Sequence, residues 1–84
     1  MTLQNTISRA IASMSSVIDM SVHGESVCVT FQDFTSIIVT PDKYGTYTWE
    51  MTTRYGTQVI TDMDEDTVID SITNHDVCEL QLGL

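Results

Sequence analysis

Short segments of alternating apolar and polar residues, each followed by a turn-forming group, fill the middle of this 84-residue chain. Alternation at every second position places one set of side chains on each face of a β-strand. The turns are only a few residues long, whereas a parallel crossover needs about a dozen residues or more. The pattern therefore predicts an antiparallel meander sheet of four to five strands.

The predicted strands span residues 18–23, 27–31, 34–40, 46–53 and 58–61. Gly24-Glu25 supplies a hairpin turn between the first two, because glycine accepts the positive φ that such turns require. The third strand, Phe34–Thr40, is the most apolar, so we expect it at the centre of the sheet. Pro41 ends this strand, and Gly45 permits the loop that follows.

Helical spacing occurs on both sides of the predicted sheet. Apolar residues recur at steps of three and four from Leu3 towards Ile18, and Ser15-Ser16 weakens the end of that helix. A second helix is predicted over residues 62–74, with an apolar stripe of Val68, Ile69 and Ile72.

A possible final edge strand is predicted where alternation returns, at residues 77–82. The expected fold class is therefore α+β: an antiparallel meander sheet with an N-terminal helix and a C-terminal helix, in one domain over residues 1–84. A domain of this size buries only about 60–65% of its unfolded surface. Its core is thin, so a homodimer or a large partner would add burial.

Two cysteines, Cys28 and Cys78, indicate a reducing compartment, because small secreted domains normally carry several disulfides. Two buried thiols and one disulfide are both open interpretations. The start of the chain has no basic region of a signal peptide, and the longest apolar run, Ile37-Ile38-Val39, is far too short to span a membrane. We therefore expect a cytoplasmic protein without a membrane span.

Charge is the strongest functional signal. Twelve acidic residues face three basic ones, Arg9, Lys43 and Arg54, and the formal net charge is −9. A negative potential of this size repels nucleic acid and anionic lipid. We expect neither direct nucleic-acid binding nor membrane binding, and the expected partner is another protein with a basic surface.

Most of this charge lies in the last quarter of the chain, since residues 62–84 hold seven acids and no Lys or Arg. Asp62, Asp66 and Asp70 recur every fourth residue, which predicts one side of a helix. Like charges at that spacing destabilise a helix by about 0.2–0.5 kcal/mol per pair. One interpretation is a solvated acidic face. The other is a docking surface for a basic groove, formed by Asp62, Asp64, Glu65, Asp66 and Asp70.

The first turn of the second helix offers a structural reason for some of these acids. Asp62 with Glu65 fits a capping box, whereas Asp64 as N-cap would pair Met63 with Val68 in a hydrophobic staple. Carboxylates in a first turn also meet the positive end of the helix dipole. Capping accounts for two or three acids, so the others keep the docking hypothesis open.

No motif for metal, nucleotide or covalent chemistry is complete. The acidic run starts like an EF-hand loop, but Thr67 stands where that loop needs glycine and Thr73 where it needs glutamate. His23 and His75 are candidate ligands, and His75 stands three residues before Cys78, but no second ligand pair exists at zinc spacing. A Cys–His nucleophilic pair stays open, because such partners need not adjoin in sequence. We expect no metal, no other cofactor and no enzymatic activity.

Tyr47, Trp49 and Met51 fall on one face of the fourth predicted strand. Aromatic and methionine side chains in such a row usually form core. In so small a domain some of them can instead lie at the surface, where Tyr and Trp are favoured in the hot spots of interfaces. Tyr47 and Trp49 are therefore candidate partner-binding residues, or part of a homodimer face.

In size and charge alone, the chain is similar to small acidic proteins of phages and mobile elements, and this resemblance covers no motif. Inhibitors of host defence nucleases, including anti-CRISPR proteins and DNA mimics, are frequent among them. The resemblance implies a protein-binding inhibitor that occludes a basic nucleic-acid-binding surface of its partner. One alternative is a structural or assembly component that self-associates. Another is an enzyme or small-molecule binder that uses the histidines and cysteines.

Overall fold

The computed structural model describes residues 3–75. The elements in chain order are α1 (Leu3–Ile11), β1 (Val17–His23), β2 (Ser26–Phe31), β3 (Ser36–Pro41), β4 (Tyr47–Thr53), β5 (Gly56–Met63) and α2 (Glu65–Thr73). The strands form one antiparallel sheet in the order β1-β2-β3-β4-β5. This confirms the predicted α+β meander with a helix at each end, and the predicted central place of the third strand. The strand predicted at residues 77–82 lies outside the described residues.

One face of the sheet packs against both helices and forms the hydrophobic core. Cross-strand register aligns the apolar side chains on that face, as the pairing of Val39 with Trp49 illustrates. α1 contributes Ile7, and α2 contributes Val68 and Ile72, all fully buried. Neither of these helices has the length and apolar character needed to cross a membrane. The buried strand residues are Val27, Val29, Phe31, Ile37, Val39, Trp49 and Met63.

Neither α1 nor α2 packs on the opposite face of the sheet, and this face is rich in hydroxyl side chains. One row across the strands consists of Thr30, Ser36, Thr52 and Thr57. In a second row, the hydroxyl oxygens of Ser26 and Thr40 lie 2.8 Å apart and share a hydrogen bond. Cys28 is half-buried on this face. Cys78, its partner in the alternative interpretation of one disulfide, lies outside the described residues.

α1 ends at Ile11, before Ser15-Ser16, where the sequence predicts the end of this helix. The β-branched residues after the two serines enter β1 instead, because such residues lose side-chain freedom in a helix. Gln32, in the turn between β2 and β3, makes two hydrogen bonds to the segment that connects α1 to β1. Its Nε2 donates to the carbonyl oxygen of Ser15 at 2.9 Å, and its backbone N–H donates to that of Ser16 at 2.8 Å.

Bulges change which residues of the edge strands face the core. The register shifts between Val17 and Asp19, so Ile18 is an extra residue in β1. As a result Val17 and Met20 both pack against the core, whereas Ile18 is 55% exposed. β5 is longer than the predicted residues 58–61, and its register with β4 also shifts near its end.

The third strand begins later than predicted. Phe34 lies in a turn with a φ of 67° and is 78% exposed, and β3 starts at Ser36. The backbone N–H of Phe31 donates to the carbonyl oxygen of Thr35 at 2.9 Å, which closes this turn. Asp33 Oδ1 accepts the backbone N–H of Thr35 at the same distance, 2.9 Å. Local side-chain hydrogen bonding of this kind favours a turn over a strand.

Candidate functional site

α2 begins at a capped N-terminus. Asp64 is the N-cap, with φ −81° and ψ 167°, and its Oδ1 accepts the backbone N–H of Thr67 at 2.7 Å. Hydrogen bonds from the side chain and the backbone N–H of Thr67 hold the pKa of Asp64 below its usual value. Met63 and Val68 are both buried in the core, as a hydrophobic staple requires. Of the two predicted N-caps, Asp62 and Asp64, α2 therefore uses Asp64.

Asp62 lies in β5 and not on α2. The prediction that Asp62, Asp66 and Asp70 share one side of a helix is therefore wrong for Asp62. Its φ is 58°, a left-handed conformation that Asp and Asn tolerate better than most residues. This backbone turn lies where the register between β4 and β5 shifts. Backbone geometry thus gives a structural reason for an aspartate at this position.

Glu65 and Tyr47, both predicted as partner-binding residues, are in contact. The Tyr47 hydroxyl donates to Glu65 Oε1 at 3.5 Å. Burial, followed by the charge and the hydrogen bond of Glu65, raises the pKa of Tyr47. Glu65 is exposed and Tyr47 is half-buried. The 3.5 Å distance is at the outer limit of an O–H···O hydrogen bond, and the Glu65 carboxylate is accessible.

Asp66 and Asp70 lie one turn apart on α2, and both are exposed. The buried side of this helix is formed by Val68 and Ile72, so the two carboxylates point away from the core. Asp66 is in the first turn, where the helix dipole favours an acid. Asp70 is beyond that turn and repels Asp66 at the four-residue spacing. Neither capping nor the dipole explains Asp70.

Trp49 is a core residue and only 6% exposed, so its ring offers almost no area to a partner. Its indole N–H is buried and has no hydrogen-bond acceptor within residues 3–75. Tyr47 and Met51, on the same face, are half-buried and pack against the core. The well-exposed tyrosines are instead Tyr44 and Tyr55, in the turns, at 77% and 89%. The face predicted as an alternative dimer surface is thus mostly covered by the helices.

The two histidines of the small-molecule alternative lie apart from each other. Cys28 lies on the same sheet face as His23, because Cys28 pairs with Ser21 and His23 is two residues further along β1. His23 Nε2 lies 3.2 Å from the Ser21 hydroxyl at the β1–β2 end, whereas His75 contacts Asp33 after α2. A cavity of about 340 Å³ opens between the start of α1, the β1–β2 turn, the end of β3 and the start of β4. Neither His nor Cys is among the described residues that line it. In the described part of the chain, no three His, Cys, Asp or Glu side chains are grouped to hold a metal ion.

Comparison with models of protein families, with curated proteins and with solved structures finds no match to this chain. Inference about function therefore rests on the geometry and charge of the described residues. The most distinctive group is the set of five exposed carboxylates where β5 meets α2. We call this group the acidic junction; its members are Asp62, Asp64, Glu65, Asp66 and Asp70.

Proposed function

We propose that this chain is a non-catalytic, protein-binding inhibitor that occludes a basic nucleic-acid-binding surface of another protein. The observation that carries the proposal is the acidic junction, five exposed carboxylates within nine consecutive residues. No Lys or Arg follows Arg54 in the sequence. A surface that binds phosphates through Lys and Arg has the complementary potential, which speeds encounter and sets specificity.

Order in the acidic junction supports this role, because charges on fixed elements bind with less entropic loss than charges on mobile chains. The capping bond fixes Asp64. The helix holds Asp66 and Asp70 about 5–6 Å apart at Cβ. Carboxylates spaced in this way can take the place of phosphates in a basic groove, where charge-assisted hydrogen bonds to Lys and Arg are strong.

Size and charge favour a phage or mobile-element protein that acts in the cytoplasm of a host cell. A host defence nuclease is the class of partner that fits best, because it must expose a basic groove to bind its nucleic acid. The inhibitor would then work by occlusion, as an anti-CRISPR protein or a DNA mimic of that type. It needs no cofactor and no contact of its own with nucleic acid.

Displacement of proteins from DNA tests the proposal. A bacterial extract is bound to DNA-cellulose at low salt and eluted with the protein or with variants. We expect the wild type to release a defined subset of DNA-binding proteins and Asp66→Asn/Asp70→Asn to release much less. The matched control is Asp19→Asn/Glu25→Gln, which removes two exposed carboxylates from the β1 hairpin. No release by the wild type, or equal release by both variants, would overturn the proposal.

A second candidate function, self-association as a structural or assembly component, is favoured by one observation. β5 is exposed along almost its whole length, and exposed sheet edges are sites of strand pairing. The two candidates are compatible, because the acidic junction begins only at the end of that strand.

A further inference from the structure

The cavity of about 340 Å³ at the start of α1 has mainly apolar walls, formed by Leu3, Val22, Val27, Pro41 and Tyr47. Val22 pairs with Val27, which belongs to the core, so both side chains lie on the face that the helices pack against. A cavity of about 150 Å³ already holds a benzene molecule. This cavity therefore has room for a large apolar side chain such as leucine or phenylalanine.

Tyr47 places this cavity next to the acidic junction. Tyr47 is one wall of the cavity, and its hydroxyl lies 3.5 Å from Oε1 of Glu65, an exposed member of the acidic junction. Tyr47 also pairs with Met63, the residue before the N-cap Asp64. The cavity and the acidic junction are therefore neighbours at one end of the molecule, and one partner can contact both.

The charges around the cavity select the kind of partner that can fill it. Among the described residues that line the cavity, Glu25 is the charged one, and none is Lys or Arg. Glu25 on one side and the acidic junction on the other give this region a negative potential. An apolar side chain therefore approaches most readily when Lys or Arg flank it in the partner. A second copy of this chain fits less well, because two chains of net charge −9 repel each other.

We propose that the cavity receives one large apolar side chain from a basic segment of the partner, while the Lys and Arg residues beside that side chain contact the acidic junction. An apolar anchor in a pocket, surrounded by polar contacts, is the usual arrangement of an interface hot spot. This inference rests on the proposed function and adds specificity to it. Charge alone attracts many basic surfaces, whereas a cavity that must be filled discriminates among them.

Two labelled lysine peptides of equal length and charge test this inference, one with a central leucine and the other with a central serine. We expect the wild type to bind the leucine peptide about five- to fifty-fold more tightly, because burial of the leucine adds to the same charge attraction. In Val22→Trp, a larger side chain fills the cavity from β1, and this advantage should fall below about two-fold. Its binding of the serine peptide should not change, which also shows that the variant folds.

Ile18→Trp is the matched control. Ile18 is also exposed on β1 but is not among the described residues that line the cavity, so the leucine advantage should be kept. Asp66→Asn/Asp70→Asn should weaken the binding of both peptides by the same factor and also keep the advantage, because it removes charge and leaves the cavity unchanged.

Equal binding of the two peptides by the wild type would overturn the inference and leave the proposed function standing. A leucine advantage that survives Val22→Trp, or that Ile18→Trp removes equally, would also overturn it. Self-association of the wild type that Val22→Trp abolishes would assign the cavity to a second copy of this chain, and would overturn it as well. Binding of neither peptide would overturn the proposed function itself, and the inference with it.

Discussion

Asp33 Oδ2 lies 3.1 Å from His75 Nε2, and the two side chains are only 5% and 14% exposed. The carboxylate accepts, so the ring nitrogen donates. The His75 ring also packs on Phe31, with centroids 4.3 Å apart. These contacts join the end of α2 to the turn between β2 and β3, and they hold the helix on the core face of the sheet.

Acid should weaken the fold partly through Asp33. Burial alone would raise the pKa of Asp33, but hydrogen bonds from Thr35 and His75 outweigh it, and the pKa lies below its usual value. A carboxyl whose pKa is depressed on folding stabilises the fold above its unfolded pKa of about 3.9. That stabilisation is lost as pH falls through the lower folded value. We expect it to be complete near neutral pH and to decline below about pH 4.

Asp33→Asn isolates this contribution, because asparagine keeps an acceptor for the Thr35 N–H but has no charge. We expect the free energy of unfolding to fall by about 1–3 kcal/mol at neutral pH, with a shallower decline in acid than in the wild type. Urea unfolding at several pH values measures both effects. Asp19→Asn, at an exposed position, is the control. An acid profile of Asp33→Asn identical to that of the wild type would contradict the assignment.

The cap of α2 should be visible in thermal stability. Asp64→Ala removes the acceptor of the Thr67 N–H, and we expect Tm to fall by about 4–8 °C. Asp64→Asn should restore most of the loss, because asparagine caps helices nearly as well. Circular dichroism during heating measures this. Asp66→Ala is the control, because it removes an acid of the first turn that is not the N-cap. If Asp66→Ala lowers Tm as much, the effect is one of charge and not of capping.

Trp49 should matter for folding and not for contact with a partner. Trp49→Ala removes a large core side chain, and we expect a loss of about 3–5 kcal/mol in the free energy of unfolding. Tyr55→Ala, at a residue that is 89% exposed, should change it by less than about 0.5 kcal/mol. Denaturant titration compares the two variants. Similar small effects would show that Trp49 does not occupy the core.

Period-two alternation predicted the sheet because one face of each inner strand is buried, and glycines marked its turns. Gly24 and Gly45 have φ values of 66° and 83°, as hairpin turns require. The wrong predictions concern Ile18 and Phe34, whose exposure depends on a strand bulge and on a turn and not on the alternation of the sequence. Ile18 alternates correctly in sequence, yet a bulge turns it outward. Phe34 is apolar but lies in a turn that is set by hydrogen bonds between neighbouring backbone groups.

The candidate site was only partly predictable. Exposure of the five acids follows from their charge, and the Asp64 cap follows from its place before the apolar stripe. The left-handed backbone of Asp62 depends on the pairing of β4 with β5, which local pattern does not contain. Burial of Trp49 depends on which strand face the helices cover. The contact of Asp33 with His75 spans 42 positions, and only the folded chain brings the two residues together.

We propose that the acidic junction attracts basic ligands as a localised patch, and the Kd of a labelled oligolysine peptide at about 0.1 M ionic strength tests this most directly. The two double variants used for DNA displacement lose the same net charge. We predict that Asp66→Asn/Asp70→Asn binds about two- to thirty-fold more weakly than the wild type. Asp19→Asn/Glu25→Gln should bind nearly as well as the wild type. Equal weakening in both variants would contradict the account, because only a diffuse net charge would then attract the peptide.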